Sequence, residues 1–283
     1  MKIKAYAKIN WHLAVIGRRA DGYHELDMVM QRIDLFDLLD IEPAEDLYLS
    51  MGGDVSLQAD ESNLVLRAAR ALQSTSGFAF GARMTLHKSI PLGAGLGGGS
   101  ADAAAALRAL NNIWGLACST KDLQAIGLTI GADIPYCLES GPAHVHGIGE
   151  FVKPFPLDKV YNLVILKTQK GLRTKEVFAL FDTQCTKQRP SETKQVVAAL
   201  NSGDLHLLKG VAYNDLQAPA MALLPDIQIM IDDLYALGAE FAQMSGSGSA
   251  VYGAFLNQAE AHQAYEALKG SYAFCHMCST CRA

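Results

Sequence analysis

Residues 91 to 106 read Pro-Leu-Gly-Ala-Gly-Leu-Gly-Gly-Gly-Ser-Ala-Asp-Ala-Ala-Ala-Ala, with five glycines in the seven positions from Gly93 to Gly99. Such a backbone can take positive φ and bring its N–H groups close to a ligand, because no Cβ intervenes. Ser100 then precedes an alanine run at 101–106, and Leu107, Ala109, Leu110 and Ile113 follow at helical spacing. Ser100 therefore reads as the N-cap or a first-turn residue of a helix. Unpaired N–H groups and roughly half a positive charge at a helix start make an anion site, most often for phosphate. A plain turn is the bland alternative, but it needs one or two glycines rather than five.

The spacing Gly93-x-Gly95-x-x-Gly98 also matches the dinucleotide fingerprint. That fingerprint requires a buried strand before it and an acidic residue about 20 positions on. The stretch 82–90 instead alternates Met84 and Leu86 with Arg83, Thr85 and His87, like a half-exposed antiparallel strand, and Pro91 intervenes. No lysine follows Gly98, which excludes the pattern GxxxxGK[ST].

Outward from this loop, 2–16 alternate and are rich in β-formers, predicting a strand pair or one long bent strand. Lys8 and Asn10 share one face of it, and a solvated edge charge is the ordinary account of Lys8. Asp21-Gly22 signals a turn, with Tyr23 and His24 directly after it. Either a packed hairpin ring or a binding residue fits Tyr23. Residues 27–58 read as several short antiparallel strands broken by acids, proline and glycine. A helix at 60–72 is capped by Ser62 or Asn63, and another runs from Ser119 to Gly127. Asp133 lies in an apolar setting where Pro135 is expected to stop a helix. It reads equally as a cap or as a buried, partnered carboxylate of the kind that catalysis uses.

The glycines and prolines of 141–156 look like the seam where a first domain closes. Beyond it come an apolar strand at 160–166, a helix at 174–181 capped by Thr174, a polar loop at 183–191, and helices at 192–201, 204–210 and 226–237. A second Gly/Ser turn at 244–253 feeds a strand at 250–255, and a helix at 258–268 and a strand at 271–280 follow. The fold class is α+β in two domains, 1–156 and 157–283.

Net charge over the 283 residues is −5, and no Lys/Arg run exceeds two, so the footprint of a nucleic-acid binder is missing. Apolar stretches fall short of the roughly 18 residues that span a bilayer, and Lys8 interrupts any signal-peptide core. A cytoplasmic protein is expected, without nucleic-acid or membrane partners, as a monomer or weak homodimer. On a terminal strand Cys275 and Cys281 would share a face that Cys278 does not, so reduced thiols are favoured over a zinc site and no metal-ligating residues are assigned.

Taken together, Lys8-Ile-Asn10, the segment Pro91 to Ser100, Gly131-Ala-Asp133-Ile-Pro135 and Ser245-Gly-Ser-Gly-Ser249 resemble the GHMP kinases (galactokinase, homoserine, mevalonate and phosphomevalonate kinases). The likeness covers nearly the whole chain, in order. Within that superfamily Asp21-Gly-Tyr-His-Glu25 and Asn214-Asp-Leu216 are similar to the branch of the non-mevalonate isoprenoid pathway. The resemblance implies a ribosomal-protein-S5-like N-terminal domain and a ferredoxin-like C-terminal domain. It implies ATP with Mg²⁺, and phosphorylation of the 2-hydroxyl of 4-diphosphocytidyl-2-C-methyl-D-erythritol.

It further implies that Pro91, Leu92, Gly93, Ala94, Gly95, Leu96, Gly97, Gly98, Gly99, Ser100 and Ala101 hold the nucleotide. Asp133 would accept the hydroxyl proton and Lys8 would orient Asp133 and offset phosphoryl charge. Asn10, Tyr23, His24 and Phe178 would face the cytidine end, with Thr174 near it. The chain departs from the pattern in its cysteine-rich tail and in Ala101, where a second serine is common. Three alternatives stay open: a GHMP kinase for homoserine or mevalonate, a nicotinamide-dependent oxidoreductase, and a non-catalytic S5-like binding module.

Overall fold

The computed structural model describes residues 1–53, 59–77, 80–184 and 191–282. In chain order the first elements are β1 (Lys2–Arg18), β2 (His24–Ala44), β3 (Leu47–Gly52), α1 (Leu64–Ser76), β4 (Gly81–His87), α2 (Gly98–Ile113), α3 (Thr120–Leu128), α4 (Ile134–Cys137), β5 (Ala143–Gly147) and β6 (Phe151–Pro154). The remainder are β7 (Asn162–Lys167), α5 (Thr174–Gln184), α6 (Thr193–Ser202), α7 (Leu205–Val211), α8 (Gln217–Leu223), α9 (Asp226–Ala236), β8 (Phe241–Met244), β9 (Val251–Phe255), α10 (Gln258–Leu268) and β10 (Phe274–Ser279). The chain packs as two compact units that interleave in sequence. One comprises Met1–Ala7, Leu35–Ile90 and Gly97–Ser140, and the other Lys8–Asp34, Pro91–Leu96 and Gly141–Ala283.

In the first unit β4 pairs antiparallel with the second half of β2, Leu38 opposite His87, and parallel with β3. Leu39, Ile41, Met84 and Leu86 line the buried face, as the alternation of 82–90 requires. Helix α1 starts where Asn63 caps it, its side chain accepting from Val65 N, and ends at Gly77 with φ +71°. In α2, Ala103 to Leu107 are fully buried, and the small side chains let its backbone lie close to its neighbours. Ser119 and Asp122 form a reciprocal capping box on α3.

In the second unit the first half of β2 pairs antiparallel with β5, and β5 with β6. A separate antiparallel sheet has the order β10-β7-β9-β8. Numbered along the chain this is fourth, first, third, second, with helices in the first and last connections, which is the ferredoxin-like arrangement. Trp11 is fully buried and meets the edges of Tyr161 and Tyr252 at centroid distances of 5.2 and 5.4 Å, its indole N–H donating to Gln31 Oε1 at 2.7 Å.

Some local expectations are corrected. The start of the expected broken segment at 27–58 is one unbroken strand to Ala44, because its acids are accommodated: Asp37 is fully buried and accepts from the Ser89 and Ile90 amides at 2.5 and 2.8 Å. Pro135 opens α4 rather than stopping a helix, its missing N–H costing nothing in a first turn. Thr174 begins α5, but its hydroxyl pairs with Ser247 Oγ at 2.8 Å instead of capping. Helix α8 was not expected, since its seven residues include Pro219 and lack a helical apolar repeat. Most of the polar loop expected at 183–191 lies outside the described residues.

Candidate active site

The glycine-rich turn passes from one unit to the other between Leu96 and Gly97. Its first arm is laced to two other segments of the second unit. Ser249 N and Ala250 N donate to the carbonyls of Gly93 and Ala94 at 3.3 and 3.0 Å, and Lys8 N donates to Leu96 O at 2.9 Å. Ser245, fully buried, joins all three strands of chain: its hydroxyl donates to Gly95 O at 3.0 Å and accepts from Asn10 N at 3.4 Å. A Cβ on Gly95 (φ +73°) would overlap the Ser245 carbonyl and lie 2.9 Å from Gly248 N, so only glycine fits this approach.

Lys8 and Asn10 project from β1 with 3% and 0% exposure, and Lys8 Nζ donates to Asn10 Oδ1 at 2.8 Å. This overturns the edge-charge account of Lys8, whose ammonium is desolvated and hydrogen-bonded. Gln243 Nε2 and the Tyr252 hydroxyl both donate to Asn10 O, at 3.3 and 2.9 Å, and hold the strand in place. The Gly/Ser turn is held in turn by Asn214, whose amide donates to Met244 O at 2.9 Å and Gly246 O at 2.8 Å while its oxygen accepts from Leu216 N. The sequence marks the Asn214 motif only as part of the family pattern and does not reveal this role.

The second arm opens α2 in the first unit. Gly97 is its N-cap at φ +70° and has no side chain to offer the first-turn amides. Ser100 thus sits in the first turn rather than at the cap. A Cβ on Gly131 would lie 3.9 Å from Ser100 Oγ, so the segment carrying Asp133 runs beside this turn. Asp133 occupies the N-cap position of α4, yet its carboxylate makes no capping bond.

The remaining candidates cluster in the second unit. His24 stacks on Phe178 with centroids 4.6 Å apart and planes 22° from parallel, and its Nε2 meets Asp182 Oδ1 at 2.7 Å. Arg18 reaches the same carboxylate at 3.4 Å. One face of Phe178 is thereby covered by His24. Tyr23 is 58% exposed at the end of a turn closed by Arg19 N to Tyr23 O at 2.7 Å, which removes the packed-ring account of it.

A buried cluster beneath α2 has scarcely any local signature in the sequence. Lys88 Nζ donates to Asp37 and, at 2.6 Å, to Asp102 Oδ2. The one signal for it is Asp102 inside the alanine run at 101–106.

Comparison with known proteins identifies the family. The family model described as GHMP kinases N terminal domain matches residues 63–141, and GHMP kinases C terminal matches 196–273. The 4-diphosphocytidyl-2-C-methyl-D-erythritol kinase of Alkaliphilus metalliredigens is 38% identical over 98% of this chain and 95% of its own length. That of Carboxydothermus hydrogenoformans is 43% identical over 94% and 92%. A crystal structure of a 4-(cytidine 5'-diphospho)-2C-methyl-D-erythritol kinase superposes over the full length of both chains with TM-score 0.81 and 32% identity. A homoserine kinase of Cytophaga hutchinsonii, at TM-score 0.73 and 20% identity, shares the fold. The chain, with its Ser245-laced glycine turn in the expected α+β framework, belongs to the GHMP kinases, in the family of the 4-diphosphocytidyl-2-C-methyl-D-erythritol kinases.

Proposed function

We propose that this protein transfers the γ-phosphoryl group of ATP to the 2-hydroxyl of 4-diphosphocytidyl-2-C-methyl-D-erythritol, in the cytoplasm. The observation that carries the reading, beside the family, is the Ser245 hydroxyl bridging Asn10 N and Gly95 O, which sets the Lys8 strand against the glycine turn. The turn from Pro91 to Ala101 cradles the triphosphate with backbone amides, fitting for a protein of net charge −5.

Asp133 accepts the hydroxyl proton as the substrate oxygen bonds to the γ-phosphorus and the bond to the β-bridging oxygen breaks, releasing ADP. An ordinary carboxylate suffices, since the loose transition state gives up the alcohol proton late. Lys8, oriented by Asn10, offsets the charge on the transferring group and aligns Asp133. No group of three or more His, Cys, Asp or Glu able to hold a metal occurs among the described residues. Mg²⁺ would accompany the nucleotide and would neutralise charge on the β- and γ-phosphates.

At the other end Tyr23 and the stacked His24–Phe178 pair face the cytidine, with Thr174 near it, while Asn10 faces the substrate beside Lys8. His24, pinned by Asp182, arrives pre-oriented for that task. Residues 1–156 carry the nucleotide turn and the catalytic pair, and 157–283 carry Phe178 and the Gly/Ser turn. ADP release measured with this substrate, with mevalonate and with homoserine tests the assignment. Turnover restricted to the diphosphocytidyl substrate is expected, and activity confined to either of the others would refute it.

A further inference from the structure

Lys88 and Asp102 are sealed from solvent, their side chains 4% and 2% exposed, and Asp37 is fully buried. Lys88 supplies one cation to two carboxylates. Asp37 is also served by the Ser89 and Ile90 amides, whereas Asp102 Oδ1 has no hydrogen-bond partner among the described residues. The cluster therefore holds one more negative charge than it can balance, and the deficit falls on Asp102. A buried carboxylate in that position binds a proton readily. Burial, only partly opposed by Lys88 and reinforced by Asp37, lifts the Asp102 carboxyl to about 7.

The position of the cluster gives this a consequence. Asp102 is the fifth residue of α2, about 6 Å along the axis from its first residue at 1.5 Å per residue. A Cβ on Gly98 would stand 3.4 Å from Lys88 Nζ and 2.9 Å from Ile90 Cγ2, so the cluster lies directly under the first turn. Asp37 ties β2 to the 88–90 segment that enters the glycine turn, and Lys88 ties that segment to the helix that leaves it. We propose that Asp37, Lys88 and Asp102 are positioning residues for the nucleotide turn, and that phosphate binding there is coupled to uptake of one proton from solvent by Asp102.

This inference rests on the nucleotide reading of the turn. The first-turn amides lie about one turn N-terminal to Asp102. A bound polyphosphate takes those amides and adds negative charges of its own. At about 10 Å and an effective dielectric of about 20, each such charge strengthens proton binding by Asp102 roughly tenfold. The charged groups facing Asp102 are Lys88 and Asp37, and neither can relieve this repulsion, because both are already committed to one another.

Calorimetric titration with Mg·ADP at pH 7.5 in two buffers of different ionisation enthalpy reads the effect, since the phosphates of that ligand are fully ionised there. Net proton uptake, of at most one proton per site, is expected of the wild-type protein. Asp102→Asn, which keeps the shape and cannot titrate, should bind Mg·ADP with no proton uptake. Lys88→Met should abolish uptake as well, by leaving Asp102 protonated before the ligand arrives. Binding by the wild type without proton uptake, or uptake undiminished in folded Asp102→Asn, overturns the proposal while leaving the kinase reading intact. Failure of the wild type to bind Mg·ADP at all sinks both.

Discussion

Substituting Gly95 by alanine isolates the contact on which the nucleotide turn depends. The residue sits at φ +73°, where a Cβ costs roughly 1–2 kcal/mol by itself. The new methyl would also overlap the Ser245 carbonyl and press on Gly248 N, both backbone atoms that cannot rotate away. Relief requires the Gly93–Leu96 arm to lift, which forfeits the Ser245 Oγ to Gly95 O bond and the Ala250 N to Ala94 O bond, about 1 kcal/mol each. Together these amount to roughly 3–4 kcal/mol, or a loss of about two to three orders of magnitude in kcat/KM for ATP. KM for the diphosphocytidyl substrate should change far less, since His24 and Phe178 stand apart from the arm in sequence and have their own support. Gly238→Ala is the control: φ is +90° with nothing within 4 Å of the new Cβ, so it bears the dihedral cost alone and leaves KM for ATP unchanged. Steady-state kinetics varying each substrate, with thermal melts alongside, decide the matter. Equal increases in both KM values, or none, would refute the reasoning.

Tyr23→Ala should raise KM for the diphosphocytidyl substrate by roughly 5- to 150-fold, the worth of a base–aromatic contact, and leave Tm unchanged because the ring is 58% exposed; a lower Tm with unchanged KM would end the stacking idea. Asp133→Asn and Lys8→Ala should each lower kcat by about two to four orders of magnitude with the fold intact, and the double variant should fall short of the product of the two, as expected of a pair acting as one unit; multiplicative losses would show independent roles. Asn214→Ala leaves the buried Met244 and Gly246 carbonyls without their donor and should cost about 2–3 kcal/mol, seen in urea unfolding, together with a raised KM for ATP. His12, fully buried with Tyr213 N donating to its Nδ1, is lowered by burial from 6.5 to about 4. Below pH 6.5 the unfolded chain therefore binds a proton that the folded one refuses, so stability is present above pH 6.5 and falls as pH drops toward 4. The wild type should lose about 3 kcal/mol more than His12→Gln between pH 7 and pH 4; parallel losses would refute this.

Much of this protein is written locally. Asn63, Ser119 and Asn257 each stand at a helix start with the oxygen that an unpaired amide needs, and α10 begins and ends at the residues its pattern gives. Five glycines before an alanine helix announce a turn that must approach something closely, and ordered motifs along the chain give the family. What short-range pattern could not decide is which charges are sealed in. Asp34, Asp37 and Asp40 look like strand breaks, but Asp37 continues a buried strand because Lys88 and two amides, some fifty residues away in sequence, satisfy it. Lys8 reads as an edge charge until Asn10, Ser245 and the Leu96 carbonyl surround its strand. The His24 stack on Phe178 likewise joins residues far apart in the chain. The free energy of burying a charge depends on its partners in space, and only the tertiary structure determines who those partners are.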